Sequence, residues 1–194
     1  MTEAESAARA EAIFEDAAAW RRWLDEHETE DEGVWLVLAK KGTTSPTTLS
    51  YDQALDEALC SGWIDGPKRG RDERTFLQRF TPRRARSMWS ARNVGHIARL
   101  EDEGRMRARG RAEVERAQAD GRWDRAYAGS ASAEPPAALV RALEADPALR
   151  AAFDGLSRAE RYSILHPLMT AASEKTLASR LERSLERLRA AASA

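Results

Sequence analysis

The sequence predicts an α+β fold in which a small, mainly antiparallel sheet with packed helices is followed by a helical C-terminal portion. Three observations predict it. Two runs of β-branched and aromatic residues, GVWLVLAKK at 33–41 and RTFLQRF at 74–80, read as strands. Ser50 with Gln53 and Ser157 with Glu160 have the spacing of capping boxes, which open helices. GSASAEPP at 129–136 joins small polar residues to two prolines and reads as a linker. It separates an α+β domain over 1–128 from a helical subdomain over 137–194.

Along the chain, residues 3–26 place Ile13, Phe14, Ala17, Trp20, Trp23 and Leu24 at roughly helical spacing, and the acidic DEHETEDEG closes that helix as a loop. The strand at 33–41 is apolar on both faces, which fits a doubly covered strand. From the Ser50 cap, Ala54, Leu55, Ala58 and Leu59 make one apolar stripe. Gly62 falls where a left-handed residue ends a helix. Trp63-Ile64-Asp65 then starts an extended segment that Gly66-Pro67 turns, and Phe76, Gln78 and Phe80 alternate as in an antiparallel partner. From Ser90, read as an N-cap, one helix runs to Gly104, and GRAEVERAQADG forms another. In the last segment Leu177, Leu181, Leu185 and Leu188 form a stripe too short for a coiled coil, so this helix packs into a bundle.

The chain has 194 residues, with 31 Lys and Arg against 32 Asp and Glu and a net charge of −1. A balance so close to neutral argues against a surface built throughout for nucleic acid. The distribution is uneven. Residues 1–33 hold eleven acids and three arginines, while 66–92 hold nine basic residues against Asp72 and Glu73. A single cysteine excludes an internal disulfide, and the three histidines, His27, His96 and His166, have no metal-ligand spacing. Neither metal nor cofactor is expected. The acidic, Ala-rich N-terminus lacks the basic and apolar regions of a secretory signal, and no apolar run approaches a membrane span, so the expected location is cytoplasmic.

Several blocks carry a resemblance. VWLVLAKK, LSYDQALDEALCSGWIDG, RFTPRRARSMWSARN, LEDEGRM and AQADGRWDRAY follow one another in the order and spacing of the bacteriocin-protection YdeI/OmpD-associated family. The chain resembles that family over about residues 13–188, with the blocks from Tyr51 to Asn93 the most specific. Members often carry an aromatic residue between the cysteine and the glycine, where this chain has Ser61. The resemblance implies a stress or toxin-protection role.

Candidate site residues cluster in two stretches. In ALCSGWIDG, Cys60 lies near a helix C-terminus, where the partial negative charge disfavours a thiolate, so a small buried space-filler competes with a nucleophile. Asp65 is either paired with Arg83 or Arg84 or turned to a ligand beside Trp63, because a lone buried carboxylate is costly. In TPRRARSMWSARN, Pro82 sets the backbone and the adjacent Arg83 and Arg84 diverge. Planar guanidinium forks suit phosphate or carboxylate, with Trp89 as a wall and Ser90 and Asn93 as neutral donors. The residues thus point to a non-catalytic protein that binds a small anionic ligand or a protein partner through Trp63, Asp65, Arg83, Arg84, Trp89, Ser90 and Asn93. One alternative is an enzyme using Cys60 as nucleophile or Asp65 as acid/base. Another is nucleic-acid binding through the Arg-rich 66–92 segment, which the neutral total and the absence of a recognition signature disfavour.

Overall fold

The computed structural model describes residues 11–28 and 31–192. The first eight positions of the helix expected over 3–26 lie outside the described residues. Of the remainder, Glu11–Ala12 is a short strand, β1, and the helix α1 spans only Ala17–Glu26. Two local causes shorten it. The Ala19 N–H donates to Asp16 Oδ1 at 2.8 Å, which sets the helix start. The backbone at 11–12 instead pairs in parallel with Trp35 and Leu36. Phe14, left ahead of the helix, packs 5.3 Å from the Trp20 ring and 5.9 Å from that of Trp23.

The sheet has the order β1-β2-β4-β3, with β2 at Val34–Ala39, β3 at Trp63–Gly70 and β4 at Thr75–Pro82. β4 runs antiparallel to both neighbours, but β1 joins β2 in parallel, so the sheet is mixed. The expected two-face burial of β2 holds, with Leu36, Val37 and Leu38 all inaccessible. The turn expected at Gly66-Pro67 is instead an irregularity inside β3, where the register with β4 shifts between Asp65 and Lys68. Proline donates no ladder bond, and an edge strand tolerates it at such a bulge. The Gln78 side chain fills the gap by donating to the Gly66 carbonyl at 2.6 Å.

Helix α2, Tyr51–Cys60, follows β2 and is opened by the Ser50–Gln53 capping box. Its Ala54, Leu55, Ala58 and Leu59 are buried, and the Trp20 indole N–H donates to the Ala54 carbonyl at 3.2 Å. Gly62 ends it at φ +75°, a conformation that glycine adopts without the Cβ penalty. Helices α3 (Ala91–Asp102) and α4 (Ala108–Ala119) come next. Gly110 permits a close approach there, since a Cβ on it would lie 2.2 Å from the Cys60 carbonyl oxygen.

The chain folds as two compact units. One comprises residues up to Ser87 with Asn93–Asp124, and the other Met88–Arg92 with the residues from Arg125 on. The second unit holds α5 (Ala137–Ala145), α6 (Pro147–Gly155), α7 (Arg158–Met169) and α8 (Glu174–Ala192). Asp146 caps α6 by accepting from Ala148 and Leu149, and the Ser157–Glu160 box opens α7. Leu139, Leu143, Leu149, Phe153, Ile164, Leu165 and Leu168 form the core of this unit. Leu188 of α8 is buried among them and Leu177, Leu181 and Leu185 pack on its edge. No described helix is long and apolar enough to cross a membrane.

Candidate functional site

Cys60 and Trp63 lie in the interior of the first unit, both fully buried. Trp63 meets Trp20 and Trp23 edge-on at ring distances of 6.2 and 5.7 Å. Burial, with the neighbouring Glu57 charge, pushes the Cys60 thiol up to about 11. At neutral pH this thiol is protonated and serves as a small apolar filler. Asp65 is half-buried and its Oδ2 accepts from the Tyr51 hydroxyl at 2.8 Å, so a phenol rather than a guanidinium meets it.

The two arginines diverge. Arg83 is buried and its backbone N–H donates to the Gly62 carbonyl at 2.9 Å, which ties the residue after β4 to the Cys60–Gly66 junction. Arg84 is exposed, in a turn where its N–H donates to Ser87 Oγ at 2.9 Å. Asn93 is buried in α3. Trp89 and Ser90 belong to the second unit, where the Trp89 carbonyl accepts from the Tyr127 N–H at 2.9 Å and Ser90 forms a parallel bridge with Tyr127. Helix α3 starts directly after Ser90.

The densest cluster of ionised groups in the first unit is one that sequence reasoning missed. Asp56 and Glu57, consecutive on α2, receive arginines from forty to fifty residues downstream. Arg99 Nη2 donates to both Asp56 oxygens at 2.7 and 2.8 Å, and His96 Nδ1 lies 3.1 Å from Oδ1. Glu57 accepts from Arg105 at 2.8 Å and from Arg107 at 2.6 Å, while Arg107 also donates to Ser61 Oγ at 2.8 Å. Burial alone would raise the Asp56 carboxyl, but hydrogen bonds from Arg99 and His96 outweigh it and hold the group below the usual carboxylate range. Each charge here has an opposite partner, so the cluster is a brace rather than an open site. The one signal in the sequence was LEDEGRM, whose Glu103 and Arg105 join the network through a 3.0 Å pair.

A different arrangement occurs in the second unit. A cleft of about 620 Å³ opens between α7 and α8, lined by Ser163, His166, Thr170, Arg180, Arg183 and Arg187 among others. The three arginines stand at i, i+3 and i+7, the spacing that puts side chains on one helix face. Arg180 is half-buried and anchored, donating to the Pro167 carbonyl at 2.5 Å. Arg183 and Arg187 are exposed. Among the described residues no carboxylate forms an ion pair with any of the three. The hydroxyls of Ser163, Thr170 and Ser184 donate to carbonyls of their own helices, at 2.7, 2.8 and 2.9 Å, so guanidinium groups are the donors left facing the cleft.

His166 forms part of the wall. Its ring meets Tyr127 edge-on at 4.7 Å and Tyr162 at 5.6 Å. Burial and then the nearby Arg180 charge lower its proton affinity, so the imidazole is neutral here at pH 7. The helical pattern alone showed the leucine stripe of α8 and not this row, because Glu182 and Glu186 alternate with the arginines and make the segment read as an ordinary mixed-charge face. Among the described residues, no group of three or more His, Cys, Asp or Glu is placed to hold a metal ion.

Two family models match the chain. Residues 12–113 match a domain of unknown function (DUF8412), and residues 132–191 match the model described as bacteriocin-protection, YdeI or OmpD-associated. The likeness read from the sequence to the second family is thus found in the helical unit, whereas the blocks from Tyr51 to Asn93 lie inside the first match. No curated protein and no solved structure matches the chain.

Proposed function

Since more than half of the chain lies in the first of those matches, it belongs to the DUF8412 family and carries a YdeI/OmpD-associated C-terminal segment; from this premise we propose that the protein binds a small anionic ligand in the cleft between α7 and α8. The single observation that carries the reading is three guanidinium groups around one concavity with no carboxylate, among the described residues, to neutralise them. Arginine forks pair with phosphate or carboxylate oxygens through two parallel hydrogen bonds, and a concave, partly desolvated wall strengthens that attraction over an open surface. Arg180, fixed by its bond to Pro167, sets one end of the site, and Arg183 and Arg187 close on the anion from the rim. The site holds its ligand without transforming it: the Ser163, Thr170 and Ser184 hydroxyls are engaged by backbone carbonyls, and among the described residues of the cleft no base is hydrogen-bonded to a nucleophile. A protective role, in the sense of the description of the second family, would then be exerted through ligand capture or through a ligand-dependent partner.

Calorimetric titration with pyrophosphate tests the reading. The wild type is expected to bind, with affinity falling as salt rises because exposed cation–anion contacts are screened. The Arg183→Ala/Arg187→Ala variant is expected to lose at least about tenfold in affinity, each lost charged hydrogen bond being worth roughly 1.5 kcal/mol or more. Equal affinities in the two proteins would overturn the assignment.

A further inference from the structure

We propose that the cleft takes up its anion together with one proton, which His166 carries. The inference rests on the reading of the cleft as an anion site and adds the coupling. Its geometric basis is the position of the imidazole, which lines the same cavity as Arg180, Arg183 and Arg187 and packs edge-on to Tyr127 and at a tilt to Tyr162.

The charged and titratable groups that face His166 come from three elements. Tyr162 is on its own helix, Tyr127 comes from the segment before α5, and Arg180, Arg183 and Arg187 are on α8. Burial raises the Tyr162 hydroxyl, which therefore stays un-ionised near neutral pH. Burial and, after it, the Arg180 charge oppose a positive charge on the ring. An oxyanion seated against the arginines offsets that charge. It also gives a protonated imidazole a partner, because a nearby anion favours the charged form of a base. The last turn of α7 adds to this, because a helix C-terminus favours a cation and His166 sits in that turn.

Linkage gives the sign. Binding raises the proton affinity of His166, so a proton moves from solvent to a ring nitrogen as the anion enters. By reciprocity, lowering the pH through the range in which the complex is protonated and the free protein is not strengthens binding. Above that range the anion meets the arginines alone.

Sulfate is the suitable probe, since its charge does not change between about pH 5 and 8, and the histidines are the side chains whose ordinary titration falls there. Calorimetry on the full chain at about pH 5.5 and about pH 8 is expected to show sulfate binding about fivefold or more tighter at the lower pH, within the tenfold that a one-unit shift permits. The His166→Gln variant is expected to bring that ratio close to one. A second measurement does not depend on the variant's folding: the imidazole proton resonance of His166 should titrate at higher pH when sulfate is present. Binding with the same affinity at both pH values, a ratio that survives His166→Gln, or a resonance that sulfate leaves unmoved overturns the proton coupling while leaving the anion site standing. Absence of sulfate and pyrophosphate binding at either pH overturns both.

Discussion

In the first unit Arg99, Arg105 and Arg107 close onto Asp56 and Glu57, whereas in the second Arg180, Arg183 and Arg187 line a cleft that no described carboxylate enters. The two sets have the same chemistry and opposite consequences. Where each guanidinium has a half-buried or buried carboxylate, the charge is consumed in holding α2 to Arg99 of α3 and to the segment that follows it. Where it has none, the charge remains available to something outside the chain. What separates a brace from a site is the presence of the counter-charge, not the density of arginine.

The sharpest way to break the comparison is to remove a counter-charge from the brace. Glu57→Ala removes the buried acceptor that Arg105 and Arg107 share, leaving Arg105 with Glu103 and Arg107 with Asp25, and the two lost charged hydrogen bonds should cost about 3 kcal/mol together. Chemical denaturation measures this, and a loss below about 1 kcal/mol would mean that the network is ornamental. Gly110→Ala comes next. Its new Cβ would fall on the Cys60 carbonyl, backbone that cannot rotate away, and overpacking of this kind typically costs about 1–3 kcal/mol. An unchanged unfolding midpoint would show that α4 has room to shift.

The acid limb of stability sharpens the comparison further. The Asp56 carboxyl is held below its ordinary value of 3.8, so its contribution is present in full above that value and is lost as pH falls through the lower, folded one. The Asp56→Asn variant should therefore be less stable near neutrality and show a shallower loss on acidification than the wild type. Parallel curves would remove Asp56 from the account. The smallest stability effect belongs to the cleft: Arg183 and Arg187 are exposed, and their replacement by alanine should leave the unfolding free energy within about 0.5 kcal/mol of the wild type. Iodoacetamide offers a last check on the first unit, since the buried Cys60 thiol should react only once the protein is denatured.

Much of the fold was legible because its signals are local. The Ser50–Gln53 and Ser157–Glu160 boxes, the left-handed Gly62 and the leucine stripe of α8 each need only a few neighbouring residues to act. β1 was not legible, because two residues become a strand only when β2 offers them an edge. The bulge at Gly66-Pro67 reads as a turn for a similar reason: proline and glycine mark a break in the ladder, but whether the chain reverses there depends on the partner strand.

The candidate site was legible in part. Adjacent arginines in an extended segment diverge, and Arg83 and Arg84 do part, one inward and one to solvent. The sequence could not supply the position of Trp89 and Ser90 in the other unit, nor the Tyr51 hydroxyl at Asp65, fourteen residues away. The brace was invisible for the same physical reason. Asp56 and Glu57 look like the wet side of an amphipathic helix until arginines forty residues downstream arrive over them.

Amide chemical-shift mapping with pyrophosphate tests the central claim most directly, because it asks where the anion goes before asking how tightly it binds. The account predicts that resonances of Ser163–Thr170 and Arg180–Arg187 move together and saturate at one concentration. Shifts confined to the Cys60–Asn93 stretch, with α7 and α8 silent, would contradict it.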